Sequence, residues 1–559
     1  MTGLNRSASL DALASQQFDL VIVGGGITGA CLAYDATTRG LKTALVERRD
    51  FGHATSSASS KLLHGGIRFL QQFRVDKVRE SAFERVYFQN LVPHLCRYVP
   101  FVIPTFSGLK EGKAFLGAGA MAYTMISAGQ NGKAKFRHSK VPLPRLASRA
   151  ELNTLLPWMG DDWPATGGLV LPECHMRSSE RVTLALIQAA AQAGCVVCNY
   201  STVSGVTQAG GKVTGVTVTT GEQPPFAVRG SAVANCAGPW LSRIAGVGDD
   251  ANPITSYFRG SHLVLKNWKL DCAVALPTEQ KIAGVAGRGG RHVFLIPWRD
   301  HVLLGTSYAR HGEDLDDVHA TAEDRDQLLG AVNAALGGRS VSEDDIAHTW
   351  SGLYPITAEE VKNDTYQGAS DYIVTDHGKA GGLKNYFSMF GAKYTTARKL
   401  AELGCNAVVR SLGTSAGPCK TRTATVPVAD VADPDAYCAR ITGQFAPLVD
   451  VDTVHHLFHN YGTALEAVLA LVAERPELAK PLGAARANIG AEAVYCAREE
   501  MIEHLDDFVF RRTGIGTIGN PGAAMLATCG KLVGGELNWS APRIQAEVAA
   551  TTARFGTTA

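Results

Sequence analysis

The sequence predicts an α/β protein: buried strands covered by helices, an antiparallel sheet set into that core, and a helical region at the carboxyl end. Three observations predict it. From Phe18 an apolar run (FDLVIV), a glycine turn (GGGITG) and a helical stretch (ACLAYDATTRG) follow one another, and KTALVE closes the unit at Glu47. The runs HLVL, HVFLIPW and HVLLGTSY, split by short polar turns, crowd residues 253–310. After about residue 420 the text turns helical. Strands are read from alternation or short apolar runs, helices from a 3.6-residue period.

Composition bounds the function. The chain has 559 residues, 45% hydrophobic and 19% charged, enough for a large core and unlike a disordered or fibrous protein. Lys plus Arg number 54 against 52 Asp plus Glu, and this balance argues against an electrostatically driven nucleic-acid binder. Twelve scattered cysteines suit reduced thiols in the cytoplasm. Cys195-Val-Val-Cys198 lies in an apolar run with no second pair, and reads as buried strand rather than zinc ligand. The sequence offers neither a secretory signal nor a membrane span, which leaves peripheral attachment to a membrane open.

In order along the chain, residues 1–17 read as a mobile leader. The strand–turn–helix–strand unit comes next. RVTLALIQAAAQAG (181–194) is a helix, CVVCNYSTV a strand, and AVANCAG (232–238) a buried strand ending in glycine. YFSMFGAKYTTARKLAELG (386–404) reads as strand, turn and long helix. TVHHLFHNYGTALEAVLALVAE and AEAVYCAREEMIEHLDDFVFRRTG read as the clearest late helices. The resulting division is a core over 18–411 with an insert at about 100–165 and 250–345, a linker at 412–432, and a helical domain over 433–559.

The first unit predicts a dinucleotide site. Gly24 permits a tight turn, Gly26 leaves room for a pyrophosphate, and Gly29 lets helix press on sheet. The helix start offers free N–H groups and a positive dipole end. Glu47 can accept hydrogen bonds from an adenosine ribose and would repel a 2′-phosphate.

The segment after this unit separates the cofactors. TSSASSKLLHGGIRFL (55–70) closely resembles a signature of the FAD-dependent glycerol-3-phosphate dehydrogenases. RGSHLVL (259–265), FLIPW with LLGTS (294–307), WSGLYPI (350–356), FGAKYTTARKLAE (390–402) and the REE and RR-T elements of 498–513 resemble further family segments, in order. The resemblance implies a glutathione-reductase-like FAD-binding Rossmann domain, an inserted substrate domain and a C-terminal helical domain. FAD would meet Gly24, Gly26, Ile27, Thr28 and Gly29 at its pyrophosphate and Glu47 at its adenosine. Ser56, Ser57, Lys61, Leu63, His64, Gly65 and Gly66 would lie along the way to the flavin ring. Val203, Ala237, Gly238, Gly391, Lys393, Tyr394 and Thr395 complete the implied set. His262 is the leading base and His64 the runner-up. Arg68 is the implied cation at the substrate, and Lys393, with Tyr394 and Thr395, would lie by the flavin's pyrimidine end, where a cation favours the anionic reduced flavin.

Four positions depart from the family pattern. Phe69 stands where the family has Tyr, Tyr308 where it has Asp, Tyr354 where it has Arg, and Ala392 where it has Gly. Arg310, two residues past Tyr308, is a candidate replacement charge, so Arg68, Tyr308, Arg310 and Tyr354 form the expected substrate set. The implied function is oxidation of glycerol 3-phosphate to dihydroxyacetone phosphate with a quinone as acceptor. Another polyol phosphate, or oxygen as acceptor, is the alternative. A cytoplasmic enzyme at the inner face of the membrane, as a homodimer, completes the expectation. An aromatic hydroxylase is disfavoured because no Asp-Gly dipeptide occurs.

The remaining clusters read as ordinary surface. His455, His456 and His459 form a solvated helix face rather than a metal site. Lys133, Lys135, Arg137 and Lys140, after AFLGAGAMAYTMISAG, form a basic loop that could also meet anionic lipid. Glu499, Glu500, Glu503, Asp506 and Asp507 form the polar face of a helix ended by Arg511 and Arg512.

Overall fold

The computed structural model describes residues 3–108, 112–160, 162–221, 223–244, 246, 254–278, 292–336, 338–357, 372–391, 393–483 and 487–556. Two sheets organise it. The first runs β17 (Ile373–Asp376), β18 (Tyr386–Phe390), β10 (Phe226–Asn235), β1 (Gln17–Val23), β2 (Thr43–Val46) and β7 (Val196–Cys198). Its centre, β18-β10-β1-β2-β7, is parallel throughout. The strands β1 and β2 are almost wholly buried and apolar, as a sheet covered on both faces requires. Helices α2 (Ile27–Thr38), α6 (Ser179–Gln192) and α8 (Ala397–Leu412) cover one face and enclose Leu20, Ile22, Leu45 and Phe387. The hairpin β8 (Thr202–Ala209) and β9 (Lys212–Thr219) pairs on to β10 and helps cover the other face.

The second sheet has ten strands and is mostly antiparallel. It draws β3 (Leu62–Leu63), β4 (Cys96–Thr105), β5 (Arg145–Ala147) and β6 (Gly167–Met176) from the first half of the chain. β11 (Ile254–Leu265), β13 (His292–Trp298), β14 (His301–Gly305) and β16 (Ile346–Thr357) come from the second half. The strands therefore run wider than the expected insert. One pairing, Ala273–Pro277 beside β4, is parallel. Helix α4 (Lys113–Ile126) packs beside this sheet.

The structure corrects several of the sequence expectations. The residues read as a mobile leader form a helix, Arg6–Ser15, capped by Asn5. Leu13 is fully buried and Arg6 hydrogen-bonds Tyr200 and Thr220, which ties it down. CVVCNYSTV is two strands, broken where Tyr200 takes φ 48°. The first late helix is also two, Val451–Tyr461 and Leu465–Glu474, parted at Gly462 (φ +57°), where a Cβ would run into the Val428 carbonyl. The second ends at Glu499, and a widened π-type turn occupies Asp507–Arg512.

The acidic cluster is accordingly no solvated face. Glu500 and Asp507 are fully buried. Arg181 makes two bonds to Glu500, at 2.8 and 2.7 Å, and Arg511 contacts Asp507. His456 is likewise buried, among Glu492, Asn460, Asn488 and Arg177, and His459 bonds the His94 carbonyl. In the basic loop Lys135 is spent on Asp430 at 2.9 Å.

Candidate active site

The C-terminal ends of β1 and β2 open on to one cavity of about 2210 Å³. Drug-sized ligands occupy roughly 300–1,000 Å³, so this volume suits an extended dinucleotide together with a substrate. The βαβ unit forms one wall. At Gly24 the chain takes φ +105° and passes so close to Cys236 that a Cβ would lie 2.7 Å from its carbonyl oxygen. A Cβ on Gly29 would collide with the Gly24 carbonyl, so α2 can reach the sheet only without a side chain there.

Glu47, just past the end of β2, is half-buried. Its carboxylate accepts the Gly25 N–H at 2.6 Å and the Arg49 N–H at 2.9 Å. Burial raises its pKa against these bonds. Ser56 Oγ accepts the Ile27 N–H at 2.9 Å, at the first turn of α2. Gly26, Ile27, Thr28, Glu47, Ser56, Val203, Ala237 and Gly238 all line the cavity.

Farther along it, His64, Gly66, Gly391, Lys393, Tyr394 and Thr395 come together. The His64 N–H donates to Thr395 Oγ1 at 3.1 Å, which joins the HGG segment to the start of α8. The Gly65 N–H donates to Glu173 at 2.8 Å. His64 is exposed on the cavity, and desolvation by the surrounding protein, then Arg68, Arg85 and Lys393, push its pKa down. Lys393 Nζ sits 4.0 Å from the Phe69 ring centroid. Phenylalanine thus still offers a π face at a position where the family has tyrosine.

The far end holds His262, Arg68, Tyr308 and Tyr354. His262 is 4% exposed, stacks on Trp350 and contacts Ser60 Oγ through Nε2 at 2.8 Å. Burial first, then Lys61, lower its pKa to about 3, so the imidazole is neutral at pH 7. Arg68 is exposed to the cavity and has no carboxylate partner among the described residues; desolvation by the surrounding wall lowers its pKa, against the phenols of Tyr354 and Tyr308. A cation open to the cavity with no carboxylate beside it suits an anionic ligand. Phe258, Tyr308 and Tyr354 form a ring cluster, with centroids 5.0, 5.1 and 6.3 Å apart. Phe69, Tyr308 and Tyr354, distant in sequence, therefore gather around Arg68; Ala392 lies outside the described residues.

Several expected residues stand behind the cavity wall. Lys61 is 1% exposed and paired with Glu180 at 2.7 Å. Leu63 is wholly buried in the core, and Gly65 packs on Arg85 and Tyr123. Ser57 Oγ turns back to the carbonyls of His53 and Ala54. Arg310 sits on the short strand Ala309–His311, opposite Phe258, and is not among the lining residues, so it does not restore a charge to the cavity. Sequence reasoning missed Ser60, Glu173 and Arg48 as lining residues. Ser60 lies inside TSSASSKLLHGG, but nothing in that motif marks its reach to a histidine 202 positions on.

Comparison with known proteins fits this geometry. The family described as FAD dependent oxidoreductase matches residues 19–394. The C-terminal domain of alpha-glycerophosphate oxidase matches 419–544. The chain is thus an FAD-dependent oxidoreductase acting on a CH–OH group. Glycerol-3-phosphate dehydrogenase 2 of Mycobacterium tuberculosis is 31% identical over 556 residues, covering 98% of this chain and 90% of that protein. The chain belongs to the FAD-dependent glycerol-3-phosphate dehydrogenase family. Aerobic glycerol-3-phosphate dehydrogenase of Staphylococcus aureus is 29% identical over 90% of this chain and 87% of its own. In fold, the glycerol-3-phosphate dehydrogenase of Bacillus halodurans complexed with FAD superposes with TM-score 0.77 at 24% identity, over 99% and 97% of the two chains.

Proposed function

We propose that the chain oxidises the secondary alcohol of a small polyol phosphate, glycerol 3-phosphate foremost, and passes the electrons to a membrane quinone. The observation that carries this is the pairing of Arg68 and Lys393, two cations on one cavity wall, with the neutral imidazole of His262 on the same cavity. A bound flavin, held at Gly24, Gly26, Ile27, Glu47 and Ser56, would supply the hydride acceptor. His262 takes the hydroxyl proton as the alcohol carbon loses that hydride and becomes a carbonyl. Arg68 supplies the planar fork that suits a phosphate, and Lys393 a second positive charge. His64, neutral between Arg68 and Lys393, is the alternative proton acceptor.

The aromatic cluster favours a second reading, in which another polyol phosphate, such as erythritol phosphate, is preferred. Tyr354 and Tyr308 occupy positions where the family carries Arg and Asp. Anaerobic flavin bleaching by glycerol 3-phosphate, erythritol phosphate, glycerol and erythritol separates the readings. Bleaching by glycerol 3-phosphate alone, at an ordinary rate, sinks the second. Bleaching by no phosphorylated polyol sinks both. Arg68→Ala should raise KM for the phosphorylated substrate roughly 10- to 100-fold, the loss of one charge-assisted contact.

Apolar lining of the same cavity supports a quinone as acceptor. Phe73, Val75, Phe106, Phe115 and Leu116 line it, and Phe73 and Phe115 are also 76% and 55% exposed. Met121, Met125, Leu143 and Leu146 extend the apolar surface. No helix among the described residues is long and apolar enough to cross a membrane. The exposed apolar side chains support an enzyme resting on a bilayer face, with quinone entering from it. Peroxide formation in place of quinone reduction would identify an oxidase instead.

A further inference from the structure

The carboxyl-terminal region reaches the cofactor turn through one buried carboxylate. Asp50 lies three residues past Glu47 and is 0% exposed. Its Oδ2 accepts from Arg511 Nε at 2.5 Å and Arg512 Nη1 at 2.6 Å. Its Oδ1 accepts from Arg512 Nη2 at 2.8 Å and Asn199 Nδ2 at 3.2 Å. Both arginines belong to the π-type turn at Asp507–Arg512, and Arg512 also donates to the Glu500 carbonyl at 2.8 Å. Widened turns of this kind concentrate at functional sites.

The residues after Asp50 grip the glycine turn. Phe51 is buried with its ring against Gly25, where a Cβ would lie 2.8 Å from it. The Gly52 N–H donates to the Gly25 carbonyl at 3.0 Å. Ser56 then takes the Ile27 N–H. The turn at Gly24–Gly26 is thus held from one side by residues 47–56. That segment is itself anchored on Arg511 and Arg512, more than 450 positions away.

We propose that Asp50, with Arg511 and Arg512, is a positioning device for FAD. The C-terminal helical region sets the glycine turn through this carboxylate, and flavin affinity is a property of that region. A lysine cannot reproduce the paired donors of Arg512, so Arg512→Lys keeps the charge and loses the geometry. Asp50→Asn keeps the shape and loses the charge. Arg177→Lys is the control. It weakens a 3.3 Å contact to His456 between the same two regions, remote from the turn.

Holoenzyme of each variant is diluted, and released flavin is read by its fluorescence alongside the melting temperature. Arg512→Lys and Asp50→Asn should raise the flavin Kd at least tenfold. Arg177→Lys should change it less than threefold for a similar drop in melting temperature. Should Asp50→Asn fail to fold, Arg512→Lys alone carries the reading. A Kd for Arg512→Lys within threefold of the parent, or an equal rise in Arg177→Lys, overturns the proposal, because either makes the network a general staple.

Discussion

At the scale of single residues, the site is governed by how enclosure changes charge. His262 is neutral because burial outweighs everything else acting on it, with Lys61 adding to the same direction. Its protonation near pH 3 leaves the basic form complete above about pH 4, so the kcat/KM profile should show no inflection from this group between pH 5 and 8. His262→Asn should slow flavin reduction by roughly 10²- to 10⁴-fold, the usual worth of a general base, while the protein keeps its full flavin content. Stopped-flow bleaching measures the first and the visible absorbance ratio the second. An unchanged rate assigns the proton to His64.

At the scale of elements, two contacts fix the cofactor half. Gly29 sets the distance between α2 and β1, because any Cβ there meets the Gly24 backbone, which cannot move aside as a flexible side chain could. Gly29→Ala should therefore cost about 1–3 kcal/mol or more in thermal unfolding and abolish flavin retention. Asp50 couples β2 to the C-terminal helices. Burial raises its pKa, but Arg512 and Arg511 outweigh that and lower it to about 2. A carboxylate whose folded pKa lies below its unfolded value of about 3.9 stabilises above that value and loses the contribution as pH falls. Denaturant midpoints should accordingly drop between about pH 4 and pH 2 in the parent. Asp50→Asn should be less stable at neutral pH and flatter across that window.

At the scale of the whole molecule, one cavity is lined both by the charged and aromatic groups Arg68, His262, Tyr308 and Tyr354 and by apolar residues of α4 such as Phe115 and Leu116. The proposed division of labour is testable because the two sets are far apart in function. Replacing Phe115, Met121 and Met125 together by serine should weaken sedimentation with anionic lipid vesicles and slow quinone reduction, with dye-coupled turnover little changed. Equal loss with both acceptors would place the apolar surface in folding rather than docking.

The glycine turn, Glu47 and the strand–turn–helix–strand unit that holds them were legible in the sequence because they are local. A βαβ unit needs its glycines and terminal acid at fixed spacings, and those spacings are printed in the chain. The family motifs likewise brought His64, Arg68, His262 and Lys393 into one expectation, and the structure places all four on one cavity. Tertiary structure alone decided which neighbours were spent on packing. Lys61 and Ser57 share a motif with His64, yet Lys61 is absorbed by Glu180 and Ser57 by its own loop. The acids from Glu499 to Asp507 read as the polar face of a helix, ended by Arg511 and Arg512 in keeping with its dipole. Whether such charges meet water or one another depends on Asp50 and Arg181, which fold back from hundreds of positions away. Spacing along a chain fixes local turns, but the fate of a charge is set by what the rest of the chain brings to it.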